Sequence, residues 1–152
     1  MTDGKPRKSL GTRADYRHFL PITTRWLDND LYGHINNTVY YSFFDTVVNT
    51  YLIEGGFLKL EGSEVIGLVV ETGCRYARPL SYPHAVTAGL RVGHIGNSSV
   101  RYEIALFGGD DREASAEGFF IHVYVGRENR RPVPLPVALR QLLEPLLVSA
   151  SV

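Results

Sequence analysis

The stretch DNDLYGHINNTVYYSFFDTVVNTYLIEGG, residues 28–56, decides the fold. From Tyr40 onward its apolar residues keep a helical period. Tyr40, Phe43, Phe44, Val47, Val48, Tyr51 and Leu52 fall at steps of three, four, seven, eight, eleven and twelve, one face of an α-helix. Asn36 or Asn37 supplies an N-cap, and Gly55-Gly56 a left-handed stop. The spacing predicts a helix of about five turns whose apolar face is heavily aromatic.

Around this helix the chain reads as strand and turn. His18 to Leu27 is expected to form a strand, carrying Phe19, Thr23, Arg25 and Trp26. Val86, Ala88, Leu90 and Val92 alternate, as do Val100, Tyr102, Ile104 and Leu106, and a less regular run continues from Ser115 to Val125. Turn signals at Pro79–Pro83, His94–Ser98 and Gly108–Asp111 separate these runs, and such short connections imply antiparallel neighbours. One long helix with about five strands predicts an α+β domain in two layers, the helix laying its stripe on one sheet face. A sheet so covered keeps open edges, so a second copy of the chain is expected, as a homodimer or homotetramer.

A chain of 152 residues with 44% apolar and 21% charged side chains is one globular domain's worth of material. Its expected divisions are a flexible lead-in over 1–17, the domain over 18–130, and a Pro-rich linker with a short helix over 131–152. Sixteen basic and sixteen acidic side chains cancel, so no overall field draws the protein to nucleic acid or to a membrane surface. No apolar run is long enough to span a bilayer, and the polar start lacks the apolar core of a signal peptide. Cys74 has no partner for an intrachain disulfide, which fits a reducing, cytoplasmic setting.

The chemistry concentrates just before the helix, where Asp28, Asp30, Gly33, His34, Asn36 and Asn37 crowd a short loop. A helix start offers unpaired backbone N–H groups and partial positive charge, able to stabilise a carbonyl oxygen that turns negative during acyl transfer. Asp30 could serve the same spot as nucleophile or as general base for water. Taken singly, such acids are also explained by capping. No metal is expected: His18, His84, His94 and His122 are scattered without ligand spacing. Cys74 lies in a strand pattern and reads as packing, and no Gly-x-Ser-x-Gly elbow exists.

As a whole, Asp-x-Asp-x-x-Gly-His-x-Asn-Asn-x-x-Tyr, from Asp28 to Tyr40, resembles the acyl-thioester hydrolases of the hotdog fold. It is similar to the 4-hydroxybenzoyl-CoA thioesterase family, in the branch acting on fatty acyl thioesters. Arg75-Tyr76-Ala77-Arg78-Pro79-Leu80 and Ile95-Gly96-Asn97-Ser98-Ser99 agree with that family's second strand and its Gly-Ser-Ser hairpin. The resemblance implies a long helix wrapped by a curved antiparallel sheet. It implies an acyl-CoA thioesterase in which Asp30 is the catalytic acid and the backbone N–H of Asn37 polarises the thioester carbonyl. Gly33, His34, Asn36 and Tyr40 would shape the binding site, with Tyr40, Phe43, Phe44 and Val47 as candidates for an acyl slot. Asp28 would support the loop, and on the helix Asp45 and Glu54 are the only other acids. No cofactor is implied beyond coenzyme A as part of the substrate. Its phosphates would need local positive charge, for which Arg75, Arg78, Arg91, Arg101 and Arg127 are candidates. An acyl carrier protein in place of CoA, and a non-catalytic acyl-thioester binder, are the alternatives.

Overall fold

The computed structural model describes residues 10–59 and 61–148. Its long helix, α1, spans Asn37–Glu54. Asn36 is the N-cap, its side chain accepting from the Thr38 N–H at 3.0 Å. At the other end Gly55 is still right-handed, and Gly56 takes the left-handed conformation that ends the helix. Tyr40, Phe43, Phe44, Val47, Val48 and Leu52 are buried, the stripe that the period predicts. Tyr51 is half-buried, its hydroxyl donating to the Leu142 carbonyl at 2.6 Å.

The strands are β1 (His18–Ile22), β2 (Val65–Tyr76), β3 (Val86–Ile95), β4 (Ser99–Gly108) and β5 (Ala116–Gly126). They form one antiparallel sheet in the order β1-β3-β4-β5-β2. The connection from β1 to β2 therefore runs from one edge of the sheet to the other, and α1 is that connection. A helix of 18 residues is about 27 Å long, enough to lie across the inner face of the curved sheet. This is the hotdog arrangement. Alternation along β3 and β4 turns Val86, Ala88, Leu90, Val92, Val100, Tyr102, Ile104 and Leu106 into the core beneath the helix. Gly118 on β5 is what lets α1 come so close, for a Cβ there would stand 2.3 Å from the Phe44 ring and 2.9 Å from the Gly73 carbonyl.

One expected boundary is corrected, and the segments flanking the domain are packed onto it. The first strand stops at Ile22 rather than Leu27, because the chain turns into a 3-10 segment at Trp26–Asp28 that carries Asp28 inward. Residues 1–9 of the expected lead-in lie outside the described residues, but 10–17 are not loose. Leu10 and Tyr16 are buried with Ala105, Phe107 and Ala114 in a second apolar cluster on the outer sheet face. The Pro-rich segment from Arg131 is pinned as well. Val133 and Leu135 donate backbone hydrogen bonds to Tyr124 and Asn97, and α2 (Val137–Leu143) buries Leu139 and Leu143 in the main core.

Candidate active site

The loop before α1 is held by its own backbone. Asp30 N–H donates to the His34 carbonyl at 2.8 Å, Gly33 N–H donates to the Asp30 carbonyl at 3.1 Å, and Asn29 bridges Ile35. Gly33 carries φ +80, and a Cβ placed on it would meet nothing within 4 Å, so glycine is required there for backbone conformation rather than for space. Asp28 is the anchor beneath. Its buried carboxylate accepts from the Arg25 backbone N–H at 2.8 Å and from the Arg25 guanidinium at 3.0 Å, while its carbonyl accepts from Asn36 N–H. A carboxylate occupied on both oxygens supports the loop, as its position in the sequence suggests.

Asp30 is placed differently. One carboxylate oxygen, Oδ1, accepts from the Tyr32 N–H at 2.8 Å and the His34 N–H at 3.4 Å. The other oxygen has no hydrogen-bond partner among the described residues. The side chain is thus oriented by one oxygen and available through the other. The first turn of α1 stands beside it. There the Thr38 N–H is taken by the Asn36 side chain and the Val39 N–H by the Asn36 carbonyl. That leaves the Asn37 N–H without an acceptor among the described residues. Asp30, Gly33, Asn36 and Asn37 line one open cleft of about 780 Å³ together with Trp26, Leu31 and Tyr32. A carboxylate with a free oxygen and a free helix N–H on one cleft can activate water, or attack, at a carbonyl whose oxygen is held by the helix start.

Other candidates lie elsewhere. His34 contributes its backbone to the Asp30 loop. Tyr40 is buried in the core with its ring 5.1 Å from that of Tyr76, so it backs the site rather than lining the cleft. Burial raises its phenol's pKa. The arginines do not converge on Asp30 within one chain. Arg75, Arg91 and Arg101 line a separate pocket of about 220 Å³ with Tyr16, Glu103 and Glu117. Arg91 and Arg101 each hold Glu103 at 2.8 Å, Arg75 lies 3.9 Å from Glu117, and Arg78 lies 3.7 Å from Glu113. Burial alone would raise the Glu103 carboxyl, but Arg101 and Arg91 outweigh it and hold the pKa below the usual value. Period-two alternation is the reason for this placement: residues 91, 101 and 103 point away from the face that carries Leu90 and Tyr102. Cys74 is half-buried, and desolvation raises its thiol pKa, which disfavours a thiolate nucleophile. Asp45 is exposed on α1, and partial desolvation raises its carboxyl.

Sequence reading missed the brace behind the loop. Asn29 donates to and accepts from the Tyr82 backbone at 3.2 and 3.0 Å, and the Ser81 hydroxyl donates to the Gly33 carbonyl at 2.9 Å. Ile35 N–H donates to the Leu80 carbonyl at 2.7 Å. These partners lie some fifty positions apart in the chain, at 29 and 82, and no local pattern signals them.

The chain belongs to the thioesterase-like superfamily, whose pattern matches residues 24–143. Among solved structures it is similar to a protein of Pseudomonas aeruginosa strain PAO1, with 55% identity and a TM-score of 0.89 over 93% of this chain and 99% of that one. A second Pseudomonas aeruginosa protein matches at 30% identity and a TM-score of 0.77, covering 83% of this chain and 97% of its own. A thioesterase of Thermus thermophilus, solved with coenzyme A and zinc, shares 28% identity and a TM-score of 0.71 over 87% of this chain and 95% of that one. No protein of curated function matches the chain. Family and fold together place it among the hotdog thioester hydrolases. Among the described residues no helix is long and apolar enough to cross a membrane.

Proposed function

We propose that the protein hydrolyses an acyl-CoA to the free acid and CoA. The observation that carries this reading is one cleft lined both by Asp30, whose carboxylate keeps a free oxygen, and by Asn37, whose N–H has no acceptor among the described residues. As general base, Asp30 takes a proton from water while the water oxygen bonds to the thioester carbon. As nucleophile, its free oxygen forms an acyl anhydride that water then opens. In either route the carbonyl oxygen becomes an oxyanion at the helix start, where the Asn37 N–H and the helix dipole favour it. In the general-base route the C–S bond then breaks and the thiolate leaves; in the nucleophile route it breaks as the anhydride forms, before water enters. A thiol of pKa about 8.5 departs without the acid assistance an amine needs, so one carboxylate and one dipole suffice and no cofactor is invoked. The Thermus relative that holds coenzyme A supports CoA as the carrier.

The acyl slot and the phosphate contacts are incomplete in one chain, and a homodimer is the companion reading. Edge strand β2 has no strand on its outer side among the described residues, with Leu68, Val69 and Val70 36%, 48% and 60% exposed. Trp26, Leu27, Leu31 and Tyr32 around the cleft are 78–102% exposed. Large apolar side chains concentrated on one edge and beside one cleft are what a second copy would cover. Cys74, with no disulfide partner in the chain, supports a reducing, cytoplasmic setting. A thiol-release assay across short, long and aromatic acyl-CoAs tests the reading. Turnover of at least one class supports it, and none across the panel favours a non-catalytic binder.

A further inference from the structure

Tyr76 closes β2 and has no place in the chemistry described so far. Its hydroxyl donates to the backbone carbonyl of Asn37 at 3.3 Å, across 39 positions of sequence. Its ring stands 5.1 Å from the Tyr40 ring at an angle of 57°. The strand beneath it is fixed. Tyr76 pairs with Ala116, and the next two residues, Ala77 and Arg78, both donate backbone hydrogen bonds to the Ser115 carbonyl. A rigid sheet end thus grips the first residue of α1. That residue lines the cleft, and its N–H has no acceptor among the described residues.

A helix's first turn is its least constrained part, because its N–H groups have no intrahelical partner. At Asn37 the carbonyl also accepts within the helix, which still leaves one lone pair for a second donor. A phenol O–H on that lone pair fixes the plane of the peptide following Asn37, and on the peptide before it the Asn36 carbonyl accepts from the Val39 N–H at 2.9 Å, so both sides of the residue are held. We propose that Tyr76 is a positioning residue for the hydrolysis, acting through Asn37 by holding the peptide that follows it, so that the residue keeps its orientation and its N–H, on the other side of the same Cα, stays aimed at the oxyanion. This deepens the thioesterase reading and rests on it. Desolvation, then the neighbouring Cys74 thiol, raises the Tyr76 pKa, so the hydroxyl keeps its proton as donor through the neutral range.

The test is Tyr76→Phe in the full chain. This variant keeps the ring against Tyr40 and removes only the O–H. A misaimed oxyanion donor weakens the transition state and leaves ground-state binding alone. The expected result is a kcat lowered about tenfold at unchanged KM, with an unchanged thermal midpoint. Amide exchange at Thr38, whose N–H belongs to the peptide Tyr76 grips, is expected to quicken. Tyr76→Leu, which also removes the ring, is expected to lose more in kcat. Wild-type kcat in Tyr76→Phe overturns the proposal, as does a raised KM at unchanged kcat, which would make Tyr76 a binding contact. If the wild type turns over no acyl-CoA, the thioester reading fails and this proposal's catalytic half with it. Exchange at Thr38 unchanged in Tyr76→Phe separately overturns the tether itself.

Discussion

His122 makes the interior of this protein acid-sensitive by an amount the structure sets. It projects from β5 into the core, is 6% exposed, and its Nε2 has no hydrogen-bond partner among the described residues. The rings around it belong to Tyr102, Phe120 and Tyr124, at 5.0 to 6.2 Å, and none carries a negative charge to offset a proton. Burial therefore pushes its pKa down from 6.5 to about 4. A depressed histidine pKa means that the unfolded chain binds more protons than the folded one between those two values. Stability is then full above about pH 6.5 and falls as pH drops toward 4. With about 1.36 kcal/mol per pKa unit, the loss from this residue is about 2 kcal/mol by pH 5 and about 3 kcal/mol by pH 4. The perturbation is His122→Leu, which replaces the imidazole by an apolar group. Urea denaturation of wild type and variant at pH 8, 7, 6 and 5 gives the difference directly, since other titrating groups are common to both. The wild type is expected to lose about 2 kcal/mol more than the variant between pH 8 and pH 5. Parallel pH profiles for the two proteins would refute the reasoning.

Two further outcomes follow from packing. Gly118→Ala sets a methyl group 2.3 Å from the ring of Phe44, which is wholly buried, and 2.9 Å from a backbone carbonyl, so neither neighbour can yield cheaply. A loss of about 1–3 kcal/mol or more is expected in chemical denaturation, and a neutral substitution would mean that α1 does not lie as close to β5 as described. On the open edge, Val70→Lys places a charge on the most exposed of the β2 valines. Light scattering is expected to show a dimer for the wild type and a monomer for the variant, whereas an unchanged mass in both would remove β2 from the interface.

Much of this architecture is legible in the sequence because its parts are periodic. The steps from Tyr40 to Leu52 fix which helix face is buried, and the alternation from Val86 to Val92 and from Val100 to Leu106 fixes two central strands. The loop motif places Asp30, Gly33, Asn36 and Asn37 on one cleft because they are close in sequence and the turn is local. What escapes is non-local. Nothing near Tyr16 or Leu10 announces that they seal the outer sheet face, since that depends on where Ala105 and Phe107 point. Strand arginines show the same limit. Arg91 and Arg101 look like free cations along the chain, yet pairing brings Glu103 between them, so much of their charge is already engaged. The Tyr76 and Asn29 contacts join segments whose proximity only the folded sheet creates.

Turnover by Asp30→Asn tests the central claim most directly. An asparagine keeps the Oδ1 that accepts from the Tyr32 and His34 N–H groups, so the loop is expected to hold its shape while the base or nucleophile is lost. On the acyl-CoA that the wild type cleaves best, kcat is predicted to fall by about 10²-fold or more, with the thermal midpoint unchanged. A variant that hydrolyses the same thioester at near wild-type rate would contradict the account.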